Sequence, residues 1–177
     1  MSMVTANPTR TDRMPLLVTA GLFLAWCVHD AEELATVGAT TSEVSDRLPS
    51  AVAERLASTT PGEFAVAVAL VGVVMAVAAA DGIRTRGRGF LFQLGVLGFG
   101  VHGVGHIASA VLLGAYTPGV VTSVVVVVPY SVAAVLWLRR RGLTDGRRLL
   151  TAAVAGALLF VPVVALARLA ASYLVGQ

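Results

Sequence analysis

"PLLVTAGLFLAWCVHDAEELATVGA", residues 15–39, is the stretch on which the fold turns. Nothing from Pro15 to Val28 carries a charge, and then His29, Asp30, Glu32 and Glu33 fall within five consecutive positions. The apolar part does not alternate as a half-buried strand would, and it is long enough to enter a bilayer as a helix. Ionisable groups therefore sit at the far end of a segment fit for lipid. Such groups are costly there unless they are paired or put to use.

The rest of the chain has the same character. Hydrophobic residues make up 56% of the 177 and charged residues 13%. The mean hydropathy is +0.83. A soluble globular chain is nearer to 25% charged, so the expected class is an all-α, polytopic membrane helix bundle. Five spans of membrane length are predicted, at about 15–37, 63–80, 90–115, 118–138 and 149–175. They form one helical domain over 14–177, preceded by a flexible N-terminus over 1–13. The "VVVVV" run in the fourth span has strand propensity, but a lone strand in lipid leaves its backbone unpaired, so a helix is expected. Trp26 is bulky where a lipoprotein cleavage site would need a small residue, so the first span is expected to stay as a helix.

All 13 basic residues are arginine. Arg10 and Arg13 precede span one, Arg84, Arg86 and Arg88 join spans two and three, and Arg139, Arg140, Arg141, Arg147 and Arg148 join spans four and five. The opposite side carries only Arg47 and Arg55, offset by Glu43, Asp46 and Glu54. By the positive-inside rule the N-terminus is cytoplasmic and the C-terminus outside. Arginines confined to span ends account for the pI near 9.8, and no nucleic-acid partner is expected. The one cysteine, Cys27, allows no internal disulfide and no cysteine-based zinc site. It is expected to be buried and inert. Between spans one and two, residues 41–62 form an outer loop in which "SAVAERLA" predicts a short interfacial helix, either a lid or a connector.

His29, Glu32 and Glu33 are spaced i, i+3, i+4 and share a helix face, whereas Asp30 points about 100° away. His102 and His106, spaced i, i+4 among Gly100, Gly103 and Gly105, share a face of the third span. At about 1.5 Å per residue, His29 and Glu33 lie roughly 21 and 27 Å along the first span, and His102 and His106 roughly 18 and 24 Å along the third. Glu63, Arg168, Thr122 and Ser123 reach a similar level, in the outer half of the membrane. Three imidazoles and at least three carboxylates at one depth suit a hard-to-borderline divalent metal. Carboxylates and histidines on facing helices can also hold two ions. The expected ligands are His29, Glu32, Glu33, Glu63, His102 and His106, around one ion or a dinuclear pair of zinc, iron or manganese.

The order of these features resembles the HXXEE family, bacterial integral membrane proteins named for the motif that here reads His29-Asp30-Ala31-Glu32-Glu33. The likeness continues through "GEFAVAVAL" and "HGVGHIASAVLLGAYTPGVVTS" and covers most of residues 20–141. It implies that His29, Glu32, Glu33, Glu63 and His106 are characteristic polar positions. It also implies a multi-pass protein of a bacterial inner membrane, and it implies no activity.

The residues themselves point to a metal-dependent hydrolase or oxidoreductase, with His29, Glu32 and Glu33 as catalytic groups. Its partner would be a membrane lipid or a lipophilic small molecule entering from the bilayer. Two other readings stay open. One is a metal-free Glu/His acid–base isomerase or cyclase acting on an isoprenoid or sterol-like lipid. The other is a small transporter or proton relay. The small residues would also allow a homo-oligomer.

Overall fold

The computed structural model describes residues 13–175. The expected N-terminal tail, apart from Arg13, lies outside the described residues. Six helices follow one another, and no strand occurs among the described residues. They are α1 (Arg13–Ser45), α2 (Ser50–Ala57), α3 (Pro61–Thr85), α4 (Phe90–Leu113), α5 (Val120–Arg140) and α6 (Gly146–Val175). Five of them, all but α2, are long and apolar enough to cross a membrane.

The helices outlast the apolar runs that revealed them. Hydropathy ends span one near Val37, yet α1 continues to Ser45. Thr36 and Thr40 return their hydroxyls to the carbonyls of Glu32 (2.7 Å) and Thr36 (2.9 Å), so their side chains do not compete for other backbone groups. The outer connection is correspondingly shorter than 41–62, and the predicted short helix within it is present as α2. Helix α3 begins earlier than expected, because Pro61 occupies its first turn and Thr60 and Glu63 form a reciprocal capping box. It ends in left-handed residues at Arg86 (φ 53°) and Gly87 (φ 87°).

Helix α5 is not uniform. Ser123–Val127 forms a π-helical turn in which the Val128 N–H donates to the Ser123 carbonyl. Pro129 follows directly. A proline has no N–H and crowds the carbonyl four residues back, and the widened turn relieves that conflict.

The core lies where α1, α3, α4 and α5 meet: Leu22, Phe92, Val96, Phe99, Val127 and Leu138 are all 0–4% exposed. Close approach depends on small residues. Trp26 of α1 lies on Gly72 of α3, Phe92 on Gly82, Val127 on Gly103, and the α4 and α6 backbones meet at Gly98 and Gly156. The Tyr130 ring covers Gly21, and its hydroxyl donates to the Val18 carbonyl at 2.7 Å. At the arginine-rich end, buried Gln93 ties two loops together by donating to the Gly87 (3.0 Å) and Leu143 (3.1 Å) carbonyls. Leu16, Leu17, Leu24, Leu112, Leu158 and Leu169 point outward, an apolar exterior that fits lipid. Cys27 is also exposed on this exterior, which corrects the expectation that it is buried.

A methyl at Gly72 would stand 2.5 Å from Trp26 Cη2 and 2.9 Å from Cζ3. Gly72→Ala is therefore expected to destabilise the α1–α3 contact by about 1–3 kcal/mol, seen as a lower Tm in detergent.

Candidate metal centre

Helices α1 and α4 face each other at the level of the charged residues, and the first turns of α5 close the third side. His29 comes from α1 and is fully buried. Phe99, one turn before His102 on α4, sets the walls. Its ring meets His29 edge-on at 5.7 Å and stacks beside His102 at 6.4 Å. The His102 and His106 rings are perpendicular, with centroids 4.3 Å apart. This is the i, i+4 spacing of "HGVGH" turned into geometry.

Four ligand atoms converge. His102 Nε2 lies 3.0 Å from His29 Nε2 and 3.0 Å from His106 Nε2. Glu33 Oε1 lies 3.0 Å from His106 Nε2, 3.6 Å from His29 Nε2 and 3.9 Å from His102 Nε2. All four atoms fall within 4.8 Å of one another, and no other such group of His, Cys, Asp or Glu occurs among the described residues. A tetrahedral zinc-type ion with ligands at about 2.0–2.1 Å has ligand–ligand edges of about 3.3–3.4 Å. The five separations straddle that value.

Hydrogen bonding alone does not satisfy this cluster. An imidazole nitrogen has either one N–H or one lone pair. Of the two 3.0 Å contacts at His102 Nε2, only one at a time can be a linear hydrogen bond. The four atoms are placed so that a shared cation could accept their lone pairs together.

The structure divides the expected ligand set. His29, Glu33, His102 and His106 come together. Glu32 does not join them: its Oε2 accepts from the Thr122 N–H (2.6 Å) and its Oε1 from the Val121 N–H (3.1 Å). The same Oε1 accepts the Tyr116 hydroxyl. Adjacent residues on a helix point about 100° apart, so Glu33 turns to the α4 histidines and Glu32 to the start of α5. Glu63 is taken up by its capping box with Thr60. It lines a separate polar cavity of about 100 Å³ with Ser58, Thr59, Arg168 and Ser172, where Arg168 donates to Thr59. The common depth read from sequence thus holds two groups rather than one. Asp30 stays outside the tetrad, buried at 8% exposure, and its Oδ2 has no hydrogen-bond partner.

Three contributors were not legible beforehand. Gly119 (φ 82°) presses its backbone against the tetrad, and a Cβ there would stand 2.7 Å from His29 Cε1. Tyr116 and Thr117 hold the same loop, Thr117 through the His106 carbonyl at 3.3 Å. "AYTPG" carries the signal of a turn, but nothing in it says that the turn folds back onto the histidines. Burial first, and donation to Glu32 second, push the Tyr116 phenol above its usual value. It therefore remains a donor through the neutral range. The stability this adds is intact below about pH 10 and is lost as pH rises through the raised value.

No curated protein and no solved structure matches the chain. One family model does, described as "Protein of unknown function with HXXEE motif", and it covers residues 20–134. That span runs from the apolar half of α1 through the tetrad and well into α5, so it contains every residue of the cluster. With its motif, its histidine-bearing α4 and the turn into α5 all inside the match, the chain belongs to the HXXEE family.

Proposed function

We propose that this protein is a membrane-embedded metal-dependent enzyme that acts on a lipophilic substrate. One divalent ion is held by His29, Glu33, His102 and His106. The observation that carries the reading is the convergence of three imidazole nitrogens and one carboxylate oxygen, five of the six edges 3.0–3.9 Å and all within 4.8 Å, inside helices apolar enough to span a bilayer. Three neutral imidazoles and one carboxylate suit zinc first, then iron or manganese. A single ion is preferred to a pair because Glu32 and Glu63, which a second ion would need, are engaged elsewhere.

The arginine-rich end faces the cytoplasm in this reading, which puts the centre in the outer half of a bacterial inner membrane. The side chains of Glu33, His102 and His106 are 12%, 22% and 18% exposed, so the centre is reachable while His29 anchors it from within. A bound ion of this type polarises a substrate carbonyl or phosphoryl oxygen, or makes water a nucleophile near neutral pH. His29, His102 and His106 hold that position. Glu33 would complete the coordination as the one carboxylate of the set and, 3.0 Å from His106, would be the group beside the ion placed to accept a proton.

Elemental analysis of the detergent-purified chain tests this. About one zinc, iron or manganese per chain is expected, and less than a tenth of that in His29→Ala and Glu33→Ala. A folded, metal-free wild type that takes up none of these ions would refute the reading. The 3.0 Å His106–Glu33 contact would then favour the second reading, metal-free acid–base chemistry at the same pair.

A further inference from the structure

We propose that Glu32 is the positioning residue of this centre. It holds Thr122 so that His29 keeps its proton on Nδ1 and turns the bare Nε2 toward the other three ligands. The inference rests on the metal reading above and adds a role for the carboxylate that does not touch the ion.

Backbone accounting at the start of α5 carries it. The first amides of a helix have no partner within the helix, and Gly119, which precedes α5, has no side chain to cap them. The Val120 N–H finds the Thr117 carbonyl at 3.1 Å, and the Ser123 N–H finds the Gly119 carbonyl at 2.9 Å. Between them stand the amides of Val121 and Thr122, and both are received by Glu32, from a different helix. With the Tyr116 hydroxyl also on Oε1, this one carboxylate accepts three donors. Glutamine would not serve, because its single oxygen would leave an –NH₂ facing a donor.

The consequence passes through Thr122. Its Oγ1 lies 3.3 Å from the Gly119 carbonyl and 2.9 Å from His29 Nδ1. The Thr122 hydroxyl is within donating reach of the Gly119 carbonyl, and in the arrangement proposed its proton goes there and Oγ1 offers a lone pair to His29 Nδ1–H. The proton's position follows from these partners. A neutral imidazole with Nδ1–H has its lone pair on Nε2, the atom that lies in the tetrad. Partners of this kind fix the orientation of a ligating histidine and are worth about 10–100-fold in metal affinity. The two glutamates of the motif thus do different work: Glu33 is a ligand, and Glu32 sets a ligand through the neighbouring helix.

The test uses the full chain in detergent, titrated with Co(II), with ligand-field bands reporting the coordination geometry. Glu32→Gln and Thr122→Val are each expected to weaken binding about 10–100-fold while helical content stays the same. Thr122→Ser, which keeps the oxygen, should bind within about threefold of wild type. Because both residues act through one link, the double variant Glu32→Gln/Thr122→Val should bind no more weakly than the poorer single variant. Multiplying effects, or Thr122→Val binding as wild type does, would overturn the proposal.

A second readout does not depend on metal. In ¹⁵N-histidine-labelled, metal-free chain, with His29 assigned by its loss in His29→Asn, the Nδ1–H tautomer is expected in wild type and a mixture in Thr122→Val. Should wild type bind no metal yet show that tautomer, the positioning role stands and the metal reading fails. Should it bind metal with His29 protonated on Nε2 in the metal-free form, the positioning role fails and the metal reading stands.

Discussion

Replacing His102 with alanine is expected to lower divalent-metal affinity by at least about a hundredfold, more than the loss of a ligand's hydrogen-bonded partner costs. His102 is the hub of the tetrad: its Nε2 lies 3.0 Å from those of both His29 and His106. Without it, His29 and His106 still meet edge-on, with centroids 5.0 Å apart, and share Glu33, but no three imidazoles remain to define a face of the tetrahedron. The fold should survive. The side chain is 22% exposed, and its apolar contact is a stack beside Phe99. Metal content by elemental analysis and affinity by competition with a chromophoric chelator check the loss, with circular dichroism as the control for folding. Retention of one ion per chain would show that the histidines do not act as a set.

Gly119→Ala is expected to damage the centre without removing a ligand. Gly119 has φ 82°, and its absent Cβ would stand 2.7 Å from His29 Cε1 and 3.1 Å from Glu33 Cγ. Alanine in this conformation costs about 1 kcal/mol by itself. The methyl would also drive two of the proposed ligands, His29 and Glu33, out of register, and on the metal reading an error of this size is expected to cost about 10–100-fold in affinity. Gly105→Ala supplies the comparison: it lies beside His106 in sequence, yet a Cβ there meets nothing within 4 Å. Gly105→Ala should bind metal as wild type does. Equal behaviour of the two variants would mean that the 116–119 turn does not shape the site.

Much of the fold was legible because lipid imposes a coarse rule. A segment must be apolar, about 20 residues long and internally hydrogen-bonded, and that rule picks out five helices from hydropathy alone. It is blind to helix ends. Thr36, Thr40 and Thr85 read as polar, yet they stay helical by returning their hydroxyls to carbonyls four residues back. The π-helical turn at Ser123–Val127 was hidden for a related reason: "VVVVVP" shows the proline but not how the chain relieves it.

The histidines and carboxylates of the centre could be read in advance at the level of depth. Rise per residue is the same in every helix, and so His29, Glu33, His102 and His106 were bound to reach one layer. Direction around each helix axis, and the tilt of one helix on another, depend on side-chain packing between distant segments. Trp26 seated on Gly72, Val127 on Gly103 and Tyr130 on Gly21 set those rotations. The chain alone therefore revealed five helices long and apolar enough to cross a membrane, with a polar layer containing three histidines. Only the packed helices separated Glu33 from Glu32, sent Glu63 and Arg168 to a cavity of their own, and laid the Gly119 turn against His29. The physical reason is that a helix face spans about 100°, as wide as the angle between neighbouring residues. Two adjacent glutamates are equivalent candidates until a second helix takes one of them.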